Sequence, residues 1–153
     1  MADDDWLTVD PDLSLQAPEL NDMLRLWQTK AGARRMPARR DLTPQDLRGH
    51  LGWIVLLDVE PAPLRFRYRL IGTEITQRVG RDATGRYLDE LYAPGVYEKA
   101  ISAFRIVIGQ CYPVRAHGRL RHAEKGHVPF EALDMPLSDD GETVTMIMTR
   151  GSF

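Results

Sequence analysis

Arg65-Phe66-Arg67-Tyr68-Arg69-Leu70-Ile71-Gly72-Thr73 is where the architecture first becomes readable. Arginine alternates with large apolar side chains, the period of two that marks a strand with one wet and one dry face. The pattern predicts Phe66, Tyr68 and Leu70 on one face and Arg65, Arg67 and Arg69 on the other. Gly72 ends the alternation with a turn that a Cβ would hinder, and Thr73 is placed to cap a helix over 73–79. Just upstream, Trp53 to Glu60 is β-rich and largely apolar. Pro61-Ala62-Pro63 then makes a turn and blocks helix. The two runs read as an antiparallel hairpin.

Toward the N-terminus, Leu20, Met23, Leu24 and Trp27 fall at i, i+3, i+4 and i+7, one apolar face of a helix. Pro18 suits its first turn and Gly32 its stop, so the helix is predicted over about 18–31. Residues 1–17 carry Asp3, Asp4, Asp5, Asp10 and Asp12, are broken at Pro11 and show no apolar period. They read as a flexible acidic arm. After a basic, proline-broken loop at 34–41, Thr43 can cap a short helix through Leu47.

Toward the C-terminus, Gly80 and Gly85 bound a loop in which both can take positive φ and Asp82 can bind backbone N–H groups. A helical turn is expected over Tyr87 to Tyr92. Pro94 opens a longer helix, about 95–109, with Val96, Ala100, Ile101, Phe104 and Ile108 on one face. Three strands follow: Tyr112 to Leu120, His127 to Leu137 and Glu142 to Arg150. The turns Ala123-Glu124-Lys125-Gly126 and Ser138-Asp139-Asp140-Gly141 join them. Two strands, a helical crossover and three strands make an α+β domain. It has a five-stranded antiparallel sheet, helices on one face and an added N-terminal amphipathic helix.

A length of 153 residues suits one domain, here 18–153 behind the arm. The single cysteine, Cys111, forms no intrachain disulfide and has no neighbours that would activate it. The longest apolar run, Trp53 to Leu57, falls far short of the ~20 residues of a membrane span. The N-terminus lacks a basic n-region, so no secretory signal is read and a cytoplasmic protein is expected. The net charge of −2 hides a segmented chain: −7 over 1–24, +7 over 25–86 and −2 over 87–153. Of 20 bases, 17 are arginine. One reading is a surface for an anion, since arginine forks phosphate and carboxylate. The blander reading is codon usage and a solvated or internally paired loop, with the acidic arm available to neutralise it. Arg35-x-x-x-Arg39 superficially matches the arginine pair of some cyclic-dinucleotide receptors, but its companion acidic-Ser-Gly motif is missing. Nucleic acid is disfavoured by a pI near 6.1 and the lack of a recognition helix.

Enzyme signatures are weak, and no enzymatic activity is expected. There is no Gly-x-x-x-x-Gly-Lys loop and no Gly-x-Ser-x-Gly elbow. His117, His122 and His127 are spaced five apart across a predicted hairpin, so His117 and His127 could face each other. No cysteine or carboxylate pattern completes a metal set, and no metal site is assigned.

Four segments carry a resemblance: Pro37-Ala38-Arg39-Arg40-Asp41-Leu42-Thr43-Pro44, Leu56-Leu57-Asp58-Val59-Glu60, the Arg65–Thr73 stretch, and Gly80-Arg81-Asp82-Ala83-Thr84-Gly85-Arg86. The series resembles a family of short, often standalone bacterial PAS-like proteins, abundant in alphaproteobacteria, over roughly residues 20–150. The resemblance implies the PAS fold, a sensory or regulatory module in signal transduction, and dimerisation. It leaves the cofactor unknown. Haem-binding members commonly use a histidine on the long helix, and 95–109 has none. Flavin photosensors carry a reactive cysteine just ahead of that helix, where this chain has Gly80 to Arg86.

The function expected is therefore binding of an unidentified small molecule, with the signal passed by protein contact, since the chain leaves no room for an output domain. Phe66, Tyr68, Tyr87, Tyr92, Phe104, Phe130, Met146 and Met148 are the candidate pocket residues; the bland alternative is that they fill a dry core. Leu20, Met23, Leu24 and Trp27 are the candidate interface for a homodimer or a signalling protein, unless they pack on the chain's own sheet. A ligand-free interaction or dimerisation module is the alternative function.

Overall fold

The computed structural model describes residues 6–122 and 125–153. Asp3, Asp4 and Asp5 of the expected arm, and Ala123 and Glu124 of an expected turn, lie outside the described residues. The chain runs β1 (Leu7–Asp10), α1 (Pro18–Ala31), β2 (Ile54–Pro61), β3 (Leu64–Ile71), α2 (Thr73–Val79), α3 (Leu88–Leu91), α4 (Pro94–Ala100), α5 (Ser102–Gln110), β4 (Val114–His122), β5 (Gly126–Leu137) and β6 (Met146–Ser152). The strands form one antiparallel sheet in the order β1-β4-β5-β6-β2-β3. The hairpin β2-β3 therefore holds one edge, and α2 to α5 carry the chain across to β4.

The sheet has six strands, not five. Residues 7–10, read from the sequence as part of a loose arm, pair with Arg115 to Gly118 of β4. A four-residue strand is too short to show a period. What admits it is Gly118, where a Cβ would stand 2.1 Å from the Trp6 carbonyl oxygen. Leu7 is buried, and Asp10 accepts from the Arg115 guanidinium at 3.4 Å.

The hairpin forms as expected, with one correction. The register shifts between Leu56 and Leu57: Leu56 lies opposite Leu70, but Leu57 lies opposite Tyr68. Arg69 is thus the extra residue of a bulge. Phe66 and Tyr68 remain on one face. Leu70 is turned to the other, and Ile71 takes its place opposite Val55. Gly72 is extended at φ −62°, so no special turn requires glycine there. Close approach does, because a Cβ would lie 2.3 Å from the Gly52 carbonyl oxygen. Thr73 is the first residue of α2 and does not cap it.

The other helices and turns depart from the pattern locally. The expected long helix is two, α4 and α5, meeting at Ile101, where the Ser102 hydroxyl donates to the Lys99 carbonyl at 2.7 Å. Thr43 accepts from the Asp46 N–H, yet the residues after it close as turns instead of a helix. The last strand begins at Met146, later than Glu142, because the Asp140 carboxylate holds the Glu142 and Thr143 N–H groups in the turn.

Helix α1 forms over the residues predicted, and its apolar face packs on the chain's own sheet, the second of the two places that spacing left open. Leu20, Met23 and Trp27 are buried and Leu24 packs partly buried against the core. The Trp27 indole donates to the Pro136 carbonyl of β5 at 2.9 Å. At the start of α1 the Glu131 carboxylate accepts the Gln16 and Ala17 N–H groups at 2.9 and 2.8 Å, and the Arg115 Nε at 2.6 Å. Burial opposes its charge, but the two N–H groups and Arg115 together hold the Glu131 carboxyl below its ordinary value. Glu131 alternates on β5 with Ala132, so α1 covers the sheet face that also carries buried Leu133, Met135 and Met148. The sheet absorbs the surface that spacing alone left open to a partner. Trp27→Ala should cost about 3–5 kcal/mol in urea unfolding. A loss under about 1 kcal/mol would contradict this packing.

Candidate functional site

The face opposite α1 encloses space. A cavity of about 850 Å³ lies between the sheet and helices α2 to α5. Small side chains create it: Ala116 on β4, Ala132 on β5, Gly151 on β6, and Ala100 and Ala103 from the helices. Register places the strand residues together, because Ala132 lies opposite both Ala116 and Gly151. Larger residues at these positions would fill the space. Trp6 and Leu7 of the N-terminal segment also line it, so β1 contributes a wall.

Four of the eight nominated pocket residues line the cavity: Tyr68, Tyr92, Phe104 and Phe130. The other four do not. Phe66 shares the face of Tyr68 but is packed into the core, its ring 5.4 Å from that of Phe104. Met146 and Met148 alternate with Thr149 on β6 and pair with Asp58 and Leu56 on the face toward α1. Tyr87 lies outside, its hydroxyl donating to Glu60 at 2.6 Å and its ring 3.7 Å beneath the Arg65 guanidinium, which forks Asp89.

The polar groups of the cavity are few. Burial pushes the Tyr68 phenol well above its ordinary value, with Tyr92 beside it adding to the shift. Asp134 and Thr149 lie opposite each other across β5 and β6, and both line the space. Asp134 is only 3% exposed, and the Thr149 hydroxyl donates to its carboxylate at 2.6 Å. Burial pushes the Asp134 carboxyl up to about 6, against that hydrogen bond. Arg81 and Arg119 line the cavity with exposed side chains. Reasoning from aromatic and sulfur side chains missed Asp134 and the alanines. The signal was there: a single acid in the otherwise apolar run Ala132-Leu133-Asp134-Met135-Pro136-Leu137.

Many arginines of the arginine-rich segment pair with acids inside it or just beyond it. Arg34 meets Asp41, Arg65 meets Asp89, Arg67 and Arg69 meet Asp58, Arg78 meets Glu74 and Arg86 meets Glu90. The expected role of the arm as its counterion is corrected at Asp10, which pairs with Arg115 on β4 instead. His117 and His127 do not face each other, since the register sets His117 opposite Glu131. Cys111 closes α5 in the left-handed region, φ 54°, away from the cavity wall. Helices α4 and α5 carry no histidine, and the 80–86 loop no cysteine. The donors that haem and photoreactive flavin use in similar folds are therefore missing from those places. Gly80 and Gly85 take positive φ, and Asp82 accepts from the Thr84 N–H at 3.0 Å, as the loop predicted.

The family model for the PAS domain matches residues 15–149. Comparison with curated protein sequences gives no match. An RNA-binding light-oxygen-voltage receptor is similar in structure at 15% identity and a TM-score of 0.54, over 95% of this chain and 38% of the receptor's. The chain thus spans well under half of that relative. A substituted PAS-B domain of Drosophila melanogaster Cycle with bound glycerol aligns at 12% identity and a TM-score of 0.48, over 65% of this chain and 96% of that one. At these identities the likeness is one of fold.

Asp134 gives the protein a pH signature. The folded chain holds this proton more tightly than the unfolded chain, where the group ionises near 3.8. Its contribution to stability is full below pH 3.8 and is lost as pH rises through about 6. Asp134→Asn should therefore gain on the wild type by about 2 kcal/mol between pH 4 and pH 7 in urea unfolding. A stability difference that does not vary with pH would contradict the buried, unpaired acid.

Proposed function

The chain belongs to the PAS domain family, and from that premise we propose that it is a non-catalytic sensory module that binds a small molecule between its sheet and α2–α5. The observation that carries this reading is the cavity of about 850 Å³. A core that served only stability would be closed, because unfilled space forfeits packing contacts at a cost that grows with its volume. Here small residues from three strands and two helices hold it open. Its composition matches ligand sites in general: apolar and aromatic walls with a few placed polar groups. Signal transduction follows by contact with a signalling protein or a second copy of the chain in the cytoplasm.

The alternative, a ligand-free interaction module, loses its best surface once α1 is packed on the sheet. The ligand reading is tested with N-phenyl-1-naphthylamine, an apolar probe that brightens out of water, and by native mass spectrometry of protein purified from cell extract. The wild type should bind the probe, or carry a small molecule through mild desalting. Ala132→Leu should weaken probe binding at least about tenfold while changing stability by no more than about 1 kcal/mol, because the added carbons enter open space. Bare protein that ignores the probe would overturn the proposal.

A further inference from the structure

The charge inside the cavity narrows the chemistry of the ligand. Asp134 projects from β5 onto the cavity face, in register with Val114 on one side and Thr149 on the other. Among the described residues its carboxylate accepts one hydrogen bond, from Thr149, and forms no ion pair. A carboxylate has room for about four such bonds. Arg81 and Arg119 reach the same cavity but remain exposed, and neither pairs with Asp134.

A buried carboxylate without a counter-charge is costly, and a neutral donor would leave that charge uncompensated. A cationic N–H group compensates the charge and fills an open acceptor site in one contact. The rest of the wall suits a cation too. Tyr68, Tyr92, Phe104 and Phe130 present four aromatic rings to the same space, and ring faces attract cations. An anion would meet the opposite arrangement in the interior.

We propose that the cavity binds an apolar molecule carrying a protonated amine or amidinium, and that Asp134 is the residue that pairs with it. This rests on the reading of the cavity as a ligand site. The test separates the two by using three probes of nearly equal size: 2-(1-naphthyl)ethylamine, 2-(1-naphthyl)ethanol and 1-naphthylacetate. Binding of each is measured by calorimetry at pH 7.5 to the wild type and to Asp134→Asn.

The amine should bind the wild type about tenfold or more tighter than the alcohol, and the carboxylate weakest. In Asp134→Asn the amine should lose that advantage while the alcohol binds as before. Equal or tighter binding of the alcohol to the wild type would overturn the pairing and leave the cavity reading standing. So would undiminished amine preference in the variant. Failure of all three probes to bind, together with failure of the apolar probe, would overturn both. If Asp134→Asn does not fold, the order of the three probes on the wild-type protein decides alone.

Discussion

The register of β5 is the constraint on which the rest depends. Along this strand Phe130, Ala132, Asp134 and Pro136 face one way and Glu131, Leu133, Met135 and Leu137 the other. The first set borders the cavity side; the second lies beneath α1. A slip of one residue would exchange the two sets. The helix would then meet Asp134, and the cavity would be plugged by Leu133 and Met135. Two prolines are compatible with this register because each lies where only one neighbour continues. Pro129 pairs with β4 before β6 joins, and Pro136 pairs with β6 after β4 has ended. The Pro136 carbonyl left free there is taken by Trp27.

The polar cluster at Glu131 links that register to the cavity from the opposite face. Its carboxylate gathers the backbone ahead of α1 and Arg115 of β4, and Arg115 reaches on to Asp10 of β1. Helix α1 and the edge strand are thus fixed by one set of charge-assisted bonds. Because Trp6 and Leu7 line the cavity, a cluster on the outer face helps define a wall on the inner one. The N-terminal segment is structurally part of the site, although its sequence reads as a tail.

Much of the fold was legible because it is written in periods. The alternation at 65–71, the spacing of Leu20, Met23, Leu24 and Trp27, and the glycine-bounded turns each placed an element to within a few residues. What was not legible depends on contacts distant in sequence. The bulge at Arg69 is set by pairing with β2, and it alone decides that Ile71, and not Leu70, faces the helices. Strand β1 depends on the bare backbone of Gly118 more than a hundred residues away. The candidate site was half legible for a related reason. Large aromatic residues announce buried surface, whereas a cavity is made by what is small. Ala116, Ala132 and Gly151 are unremarkable singly and become a site only when the register lines them up.

The charge pattern changes meaning in the same way. In the sequence, the excess of arginine over 25–86 points outward, to an anionic partner. In the fold, Asp58 and Glu74 inside the segment and Asp89 and Glu90 just beyond it each answer arginines near them, so part of that charge is local pairing on the surface. Exposed pairs of this kind are screened by salt and contribute little each. The electrostatic asymmetry with the greatest reach is a single carboxylate that the charge count does not distinguish. Asp134 is enclosed and, among the described residues, hydrogen-bonded to one hydroxyl and paired with no base, in a space lined by rings. In water its charge would be worth little; inside the cavity, poorly screened, it discriminates among ligands by sign.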